Sequence, residues 1–167
     1  MTRTLTAAAQ AQAEALSAAP VNIVKIEFGQ GVGDRFYSDR DLGAGDGLSA
    51  LNAQGRVTAW GRAAAVLAEQ TLSSVGDGFV EMADADGALK ALFDAVEMQG
   101  RRVTVLQHFD GLGESDMAPI LVGTAAAPVV WERRTGTLRF DITDISTLHR
   151  ATVGRLADAD TFPSVAE

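Results

Sequence analysis

The stretch VVWERRTGTLRFDITDI, residues 129–145, contains two runs of β-forming residues on either side of a short polar turn. The turn is centred on Thr135 and Gly136, and glycine permits the positive φ that tight hairpin turns require. The apolar positions of the second run are Leu138, Phe140, Ile142 and Ile145. This pattern predicts an antiparallel hairpin formed by residues 129–134 and 137–145.

Similar short segments occur along most of the chain, separated by turns that contain glycine. Val, Ile, Phe and Thr are enriched in them, as is typical of strands. Residues 64–75 fit either helix or strand, and their Thr and Ser content and the GDG turn after them favour a strand. The glycine-rich residues 39–54 are predicted to form a surface loop. The other predicted strands cover residues 21–28, 35–38, 56–61, 79–83, 101–109 and 119–124.

Two helices are predicted. Residues 4–18 are rich in alanine and contain neither Gly nor Pro, which favours a helix that docks on another surface. The second helix, residues 86–98, begins after an N-cap carboxylate from Asp84 or Asp86 and is ended by Gly100. Its apolar residues at helical spacing are Leu89, Leu92, Phe93 and Val96.

The chain is therefore expected to have one β domain, residues 21–145, with the second helix inserted into it. Residues 1–20 would form an N-terminal helix or arm, and residues 146–167 a C-terminal extension. Because the links between strands are short, the strands should pair mostly antiparallel. The predicted fold class is mainly β (α+β), built as an antiparallel β-barrel or sandwich.

Composition excludes several classes of function. The net charge of −8 argues against nucleic-acid binding and against an anionic membrane surface. The chain contains no cysteine, which excludes disulfides, thiolate nucleophiles and cysteine-bound metals. It has no apolar run of the roughly 20 residues needed to span a bilayer. We expect a protein made in the cytoplasm, without membrane insertion and without specific nucleic-acid binding.

Motifs that carry chemistry are better explained by turns. GQGVG (residues 29–33) and GAGDG (residues 43–47) lack the following helix that a phosphate-binding loop requires. DADG at residues 84–87 opens like a calcium loop, but an apolar helix follows at once and the later ligands are missing. His108 and His149 are the two histidines, and no GxSxG motif accompanies them. We expect no catalytic residue, no metal and no cofactor.

Large aromatic and basic side chains are the predicted contact residues. Trp60 and Trp131 lie in predicted strands. Tryptophans in strands are more often anchors of a core or an interface than platforms for a ligand. His108, in an alternating strand, is expected at the surface or in an interface. Basic pairs in an acidic chain offer docking points for acidic neighbours. The full predicted interface set is Leu5, Leu16, Trp60, Arg101, Arg102, His108, Trp131, Arg133 and Arg134.

The segment VEMADADGALKALFDAVEMQGRRVTVLQHFDG, residues 80–111, resembles part of the ring-forming β domain of bacteriophage tail-tip proteins, the baseplate hub and distal tail family. The shared order is a strand ending in Asp, a short helix opened by Asp-Gly, and a basic, Val-rich strand. The strand PILVGT (residues 119–124) and the hairpin segment TLRFDITDI (residues 137–145) continue the resemblance. These motifs define an order of strands and a helix, and they include no catalytic motif.

The resemblance implies a structural protein of the virion that is not an enzyme and that assembles into a ring of three or six copies at the end of the tail. Its partners would be copies of itself and the tube, hub, tape-measure and fibre proteins. An alternative from another class remains open, namely a small-molecule or carbohydrate-binding β-barrel whose pocket is lined by Trp60 and Trp131. A hydrolase with an unmarked carboxylate or histidine site ranks third.

Overall fold

The computed structural model describes residues 5–15, 20–29, 31–48, 51–61, 65–68, 71–75 and 78–144. The predicted C-terminal extension, Leu16 and His149 lie outside these residues. The described residues form two α-helices and ten strands, with short 3-10 turns at Ala44–Asp46 and Glu114–Asp116. In chain order the elements are α1 (Ala7–Glu14), β1 (Pro20–Glu27), β2 (Asp34–Ser38), β3 (Ala53–Gly55), β4 (Val57–Trp60), β5 (Ala65–Ala68), β6 (Thr71–Val75), β7 (Gly78–Ala83), α2 (Ala88–Ala95), β8 (Arg102–Phe109), β9 (Ala118–Glu132) and β10 (Thr137–Asp144).

Eight strands form one mixed sheet in the order β3-β2-β1-β8-β9-β10-β7-β4. All neighbours are antiparallel except β2 and β3, which pair in parallel. The protein is therefore mainly β with helices, as predicted, but the sheet is open and the predicted closed barrel or sandwich is wrong. The reason is covalent: the edge strands β3 and β4 follow one another in the chain, so they meet end to end and cannot pair side by side.

A corner at Gly55 and Arg56 joins these two edges. The Gly55 amide donates to Asp41 Oδ1 at 2.7 Å, and the Ala83 amide donates to the Arg56 carbonyl at 2.6 Å. A Cβ atom on Gly55 would lie 2.7 Å from the amide nitrogen of Asp41, so only glycine fits there. We call this segment the corner.

The main core lies between the inner face of the sheet and α2. Phe93 of α2 contacts Phe28 and Phe140, with ring centroids 5.5 and 6.1 Å apart. A second cluster lies on the opposite face of β1, where Ile23 is covered by Leu42 and Leu48 from the loop between β2 and β3. Both faces of β1 are thus buried near its middle, which explains the adjacent apolar residues in VNIVKIEF.

Several element boundaries differ from the sequence-based predictions. The two strands expected at 119–124 and 129–134 form the single strand β9, which continues through Pro128 because this part of β9 is an edge with no pairing to β8. The described residues within the segment 64–75 are strands, as favoured, but they form two strands, β5 and β6. The second helix ends at Ala95, well before Gly100, whose positive φ of 76° belongs to the turn that precedes β8.

The start of α2 is stabilised by Asp84, which lies outside the helix. Gly87 occupies the N-cap position in the left-handed conformation and offers no side chain to the helix. Asp84, only 1% exposed, instead accepts hydrogen bonds from the amides of Leu89 (2.7 Å) and Lys90 (2.9 Å). Asp86 accepts a third, from Ala88 at 3.2 Å. Both carboxylates predicted as alternative caps therefore contribute.

Replacing Asp84 with alanine should lower the free energy of unfolding by roughly 1–3 kcal/mol, because two amides at the start of a buried helix would lose their acceptor. Urea denaturation followed by circular dichroism measures this change. Asp94→Ala is the matched control, since Asp94 lies on the same helix with 65% of its side chain exposed and pairs only with Lys90 there. Equal effects of the two substitutions would contradict the capping role.

Candidate functional site

A cavity of about 340 Å³ lies at the end of the sheet where β4 stops and β7 begins. We call it the end cavity. Residues of six strands line it, and none of the described lining residues is charged. Its polar, aromatic and largest apolar lining residues are Asn22, Trp60, Phe79, Gln107, Ile120 and Leu121.

Close backbone packing shapes one wall of the end cavity. Trp60 pairs with Val80 across β4 and β7, and the Gly61 amide donates to the Phe79 carbonyl at 2.7 Å. A Cβ atom on Gly61 would lie 2.5 Å from the Phe79 amide nitrogen. Glycine at 61 therefore lets the Phe79 ring, which also stacks 3.9 Å below the Arg139 guanidinium, reach the cavity rim.

Asn22 places a polar group inside this apolar wall. It shares the inward face of β1 with Val24 and Ile26 and sits directly opposite Gln107 on β8. Its Oδ1 atom is buried, and no described residue donates a hydrogen bond to it. A buried acceptor without a donor costs about 1–3 kcal/mol. The wall of the end cavity thus includes a buried acceptor that is unpaired among the described residues.

A second cavity, of about 510 Å³, lies between α2 and the second half of β9. We call it the helix groove. Charged side chains are part of its lining, since Lys90, Asp94 and Glu97 line it along with Val129, Trp131 and Leu138. Lys90 Nζ lies 5.7 Å above the Trp131 ring and forms an ion pair with Asp94. Trp131 Nε1 is buried and has no acceptor among the described residues.

Charged groups are distributed unevenly between the two ends of the sheet. The loops at residues 39–48 and 110–117 meet at one end, where Arg40 and Asp110 form an ion pair. These loops carry one basic residue and six acidic ones, Asp39, Asp41, Asp46, Asp110, Glu114 and Asp116. The turn between β9 and β10, at the other end, exposes Arg133 and Arg134, and neither forms an ion pair with the described residues.

The corner carries a two-pronged ion pair between Arg56 and Asp86. The Arg56 guanidinium donates two hydrogen bonds to the Asp86 carboxylate, at 2.9 and 2.7 Å. These bonds, and then the bond from the Ala88 amide, hold the pKa of Asp86 well below its ordinary value of 3.8. The same pairing raises the pKa of Arg56. The pair ties the corner to the segment that enters α2.

The structure separates the predicted contact residues. Trp60 lines the end cavity and Trp131 the helix groove, so the two tryptophans do not share a pocket. The expected surface position of His108 is wrong: it is 1% exposed, because α1 and the loop at residues 39–48 cover the outer face of β8. Its Nε2 lies 3.2 Å from the Asp46 carbonyl oxygen.

The other predicted contact residues lie nearer the surface. Leu5 is half-buried at the start of the described N-terminal segment. Arg101 Nε donates to the Glu97 carbonyl at 2.8 Å, and Arg102 is exposed on β8. Arg133 and Arg134 are exposed as well. The role of these four arginines as contact residues stays a prediction.

Asn22 and Phe79 were not identified from the sequence as site residues. A signal for Asn22 was present: it is a lone amide at an inward position of the apolar strand VNIVKIEF. Its burial depends on the pairing of β1 with β8, which no local pattern reveals. Phe79 lines the cavity because it packs against Gly61, a residue distant from it in the sequence. Local sequence patterns do not reveal such a contact.

Within the described ranges, no three His, Asp or Glu side chains are grouped so that they could hold a metal ion. No described helix is long and apolar enough to cross a membrane. No protein-family model matches the chain, and no curated protein matches it either.

Replacing Asp86 with asparagine should destabilise the protein at neutral pH and progressively less as the pH falls below about 4. The pKa of Asp86 is lower in the folded than in the unfolded state, so its stabilising effect is present above 3.8 and is lost as the pH drops toward the folded-state pKa. Urea titrations of both proteins between neutral pH and about pH 3 measure the difference. Arg56→Gln should reproduce the same pH dependence. A difference that does not change with pH would contradict it.

Proposed function

We propose that this chain is a structural subunit of a phage tail tip, a baseplate hub or distal tail ring, that works through contacts between copies. It is made in the host cytoplasm, acts in the virion without catalysis, and joins a ring of three or six copies. Its other partners would be the tube, hub, tape-measure and fibre proteins. The proposal extends the resemblance in residues 80–111 and 119–145, and one feature of the fold carries it.

That feature is the hairpin formed by β5 and β6. It is a two-stranded sheet of its own, and among the described residues neither strand pairs with any of the eight strands of the main sheet. An isolated two-stranded hairpin is at best marginally stable in water. Its sequence, AVLA in β5 and TLSSV in β6, is mostly apolar or uncharged. A hairpin of this kind is well suited to dock on a neighbouring subunit, which would supply the surface that the hairpin lacks.

The uneven charge supports the same kind of assembly. The acidic loops at residues 39–48 and 110–117 lie at the opposite end of the sheet from Arg133 and Arg134. Opposite charges on opposite ends favour a head-to-tail contact, in which different surfaces of two copies meet. Such contacts between identical subunits build closed rings or open stacks, depending on the angle between subunits.

Removing the hairpin should abolish self-association and leave the fold intact. The register of β4 and β7 brings Gly61 next to Phe79, so residues 63–77 can be replaced by a two-residue Asn-Gly turn. Sedimentation velocity should show oligomers of the unmodified chain that dissociate as salt is raised, and monomers of the shortened chain. Thermal unfolding of the shortened chain checks its fold. A monomeric unmodified chain, or oligomers that persist without the hairpin, would contradict the proposal.

Antibodies raised against the purified chain should label one end of the tail in negative-stain images of particles from the phage that encodes it. Labelling should be confined to the tail tip, because a ring subunit occupies a fixed position. Antibodies against the major tail-tube protein of the same particles serve as the control and should bind along the tail. Labelling of the head, or particles that lack the protein, would rule out the tail-tip assignment.

A further inference from the structure

The second half of β9 has an open side. β9 pairs with β8 only up to Thr124, and Ala125 then forms two backbone hydrogen bonds, one with Gly100 and one with Arg101. Beyond that point, β10 is the only strand beside residues 126–132 in the described part of the chain. We call residues 126–132 the free edge. An unpaired strand edge is a template to which a strand of another chain can add.

Backbone groups of the free edge face the open side. The Glu132 carbonyl accepts a hydrogen bond from the Gly136 amide in the turn to β10, so the backbone groups of Glu132 face β10. Successive residues of a strand direct these groups to opposite sides. The amides and carbonyls of Trp131 and Val129 therefore face away from β10, where an added strand would find two donors and two acceptors.

The side chains of the free edge leave apolar surface uncovered. Val130 is 52% exposed, the highest value for a large apolar side chain in the described part of the chain. Its neighbours Val129 and Trp131 belong to the other face and line the helix groove. A strand added here would cover part of Val130 and direct alternate side chains toward the groove. Removing apolar surface from water stabilises such a contact.

The strand β6 of a second copy fits the free edge. Among the described strands β6 pairs with β5 alone, so its other side is open as well. Its five residues, TLSSV, are fewer than the seven of the free edge and carry no charge. Its apolar and hydroxyl side chains suit the helix groove, whose lining is both apolar and charged.

The strand β6 of the same chain does not reach the free edge. It ends three residues before Gly78, the first residue of β7, and three residues span at most about 10 Å. A strand added to the free edge would lie three strand positions from β7, about 14 Å away, because β10 and β9 lie between. The pairing therefore requires two copies.

Charges at the ends of the two segments are complementary. Arg133 and Arg134 follow the free edge directly, are exposed, and form no ion pair with the described residues. In the sequence, Glu69 lies two residues before β6 and Asp77 two residues after it. In either direction of β6, one of these carboxylates would come beside the arginines, which favours the contact.

We propose that β6 of one copy adds as a strand to the free edge of the next copy, beside β9 and in line with β8. The contact joins different surfaces of two copies, which is the head-to-tail arrangement that builds a ring. This inference rests on the proposed self-association through the hairpin and identifies the surface that receives it.

Disulfide cross-linking tests the pairing, because the natural chain contains no cysteine. Val130→Cys is combined, in five separate variants, with a cysteine at each position of β6 in turn. Oxidation should link neighbouring copies into ladders on a non-reducing gel. The yield should alternate along β6 with a period of two, because only every second residue of a strand shares the face of Val130.

Asp141→Cys in place of Val130→Cys gives the matched control series. Asp141 is exposed to a similar extent, but it lies on β10, and β9 separates it from the open side of the free edge. Its cross-linking yield should be low at all five positions of β6. Equal yields in the two series, or an even yield along β6 with Val130→Cys, would overturn the pairing.

Charge reversal tests the ends of the contact. Arg133→Glu and Arg134→Glu together should weaken self-association at least about tenfold in sedimentation velocity. Adding Glu69→Lys and Asp77→Lys to this variant should restore self-association, because the charges are exchanged.

Asp39→Lys and Asp110→Lys, in the acidic loops, serve as the control for this rescue. Added to the same arginine variant, they should not restore self-association. Rescue by the loop substitutions, without rescue by those beside β6, would place the arginines against the loops and overturn the inference.

One comparison separates this inference from the proposed function. The chain shortened at residues 63–77 can be monomeric while Val130→Cys gives no specific cross-link to β6. The hairpin would then dock on another surface, so the inference would be overturned and self-association through the hairpin would stand. If the shortened chain still forms oligomers, both are overturned.

Discussion

The corner at Gly55 and Arg56 is the constraint on which the rest of the fold depends. In a flat sheet of eight strands the two edges would lie roughly 34 Å apart, at about 4.8 Å per strand. Here a single residue, Arg56, separates the edge strands β3 and β4. The sheet must therefore curl until its edges meet, and the space enclosed by that curl becomes the main core and the end cavity. The amide bond to Asp41 and the ion pair to Asp86 hold this joint in place.

A curled sheet has two open ends, and different groups fill them in this protein. At the end near the corner, α2 inserts Phe93 between Phe28 and Phe140, so apolar packing fills the interior. At the other end no helix inserts among the described residues, and Asn22 and Gln107 face each other across β1 and β8. The uneven filling explains why the same inward face of β1 carries Ile26 and Phe28 at one end and an amide at the other.

Local patterns predicted the strands well, because the alternation of apolar and polar residues and the glycine turns can be recognised within short segments such as 21–28 and 137–145. They could not predict the open sheet. That outcome depends on β3, three residues long and hidden in the predicted loop, pairing in parallel with β2. The length of β9 was missed for a similar reason, because Pro128 signals a break unless the strand is known to be an edge there. The burial of His108 follows from a loop and a helix that close over β8, which are contacts distant in sequence.

Two glycines lie both at the end cavity and at the two sides of the β5–β6 hairpin segment. Gly61 and Gly78 both line the cavity, and they are the last described residue before the hairpin and the first after it. The Gly61 amide donates to the Phe79 carbonyl, and a Cβ atom on Gly61 would collide with Phe79, so β4 and β7 stay closely paired up to the last described residue before the hairpin. Glycine at position 61 therefore lets the sheet keep its own geometry at the cavity rim, beside the segment that leads to the hairpin.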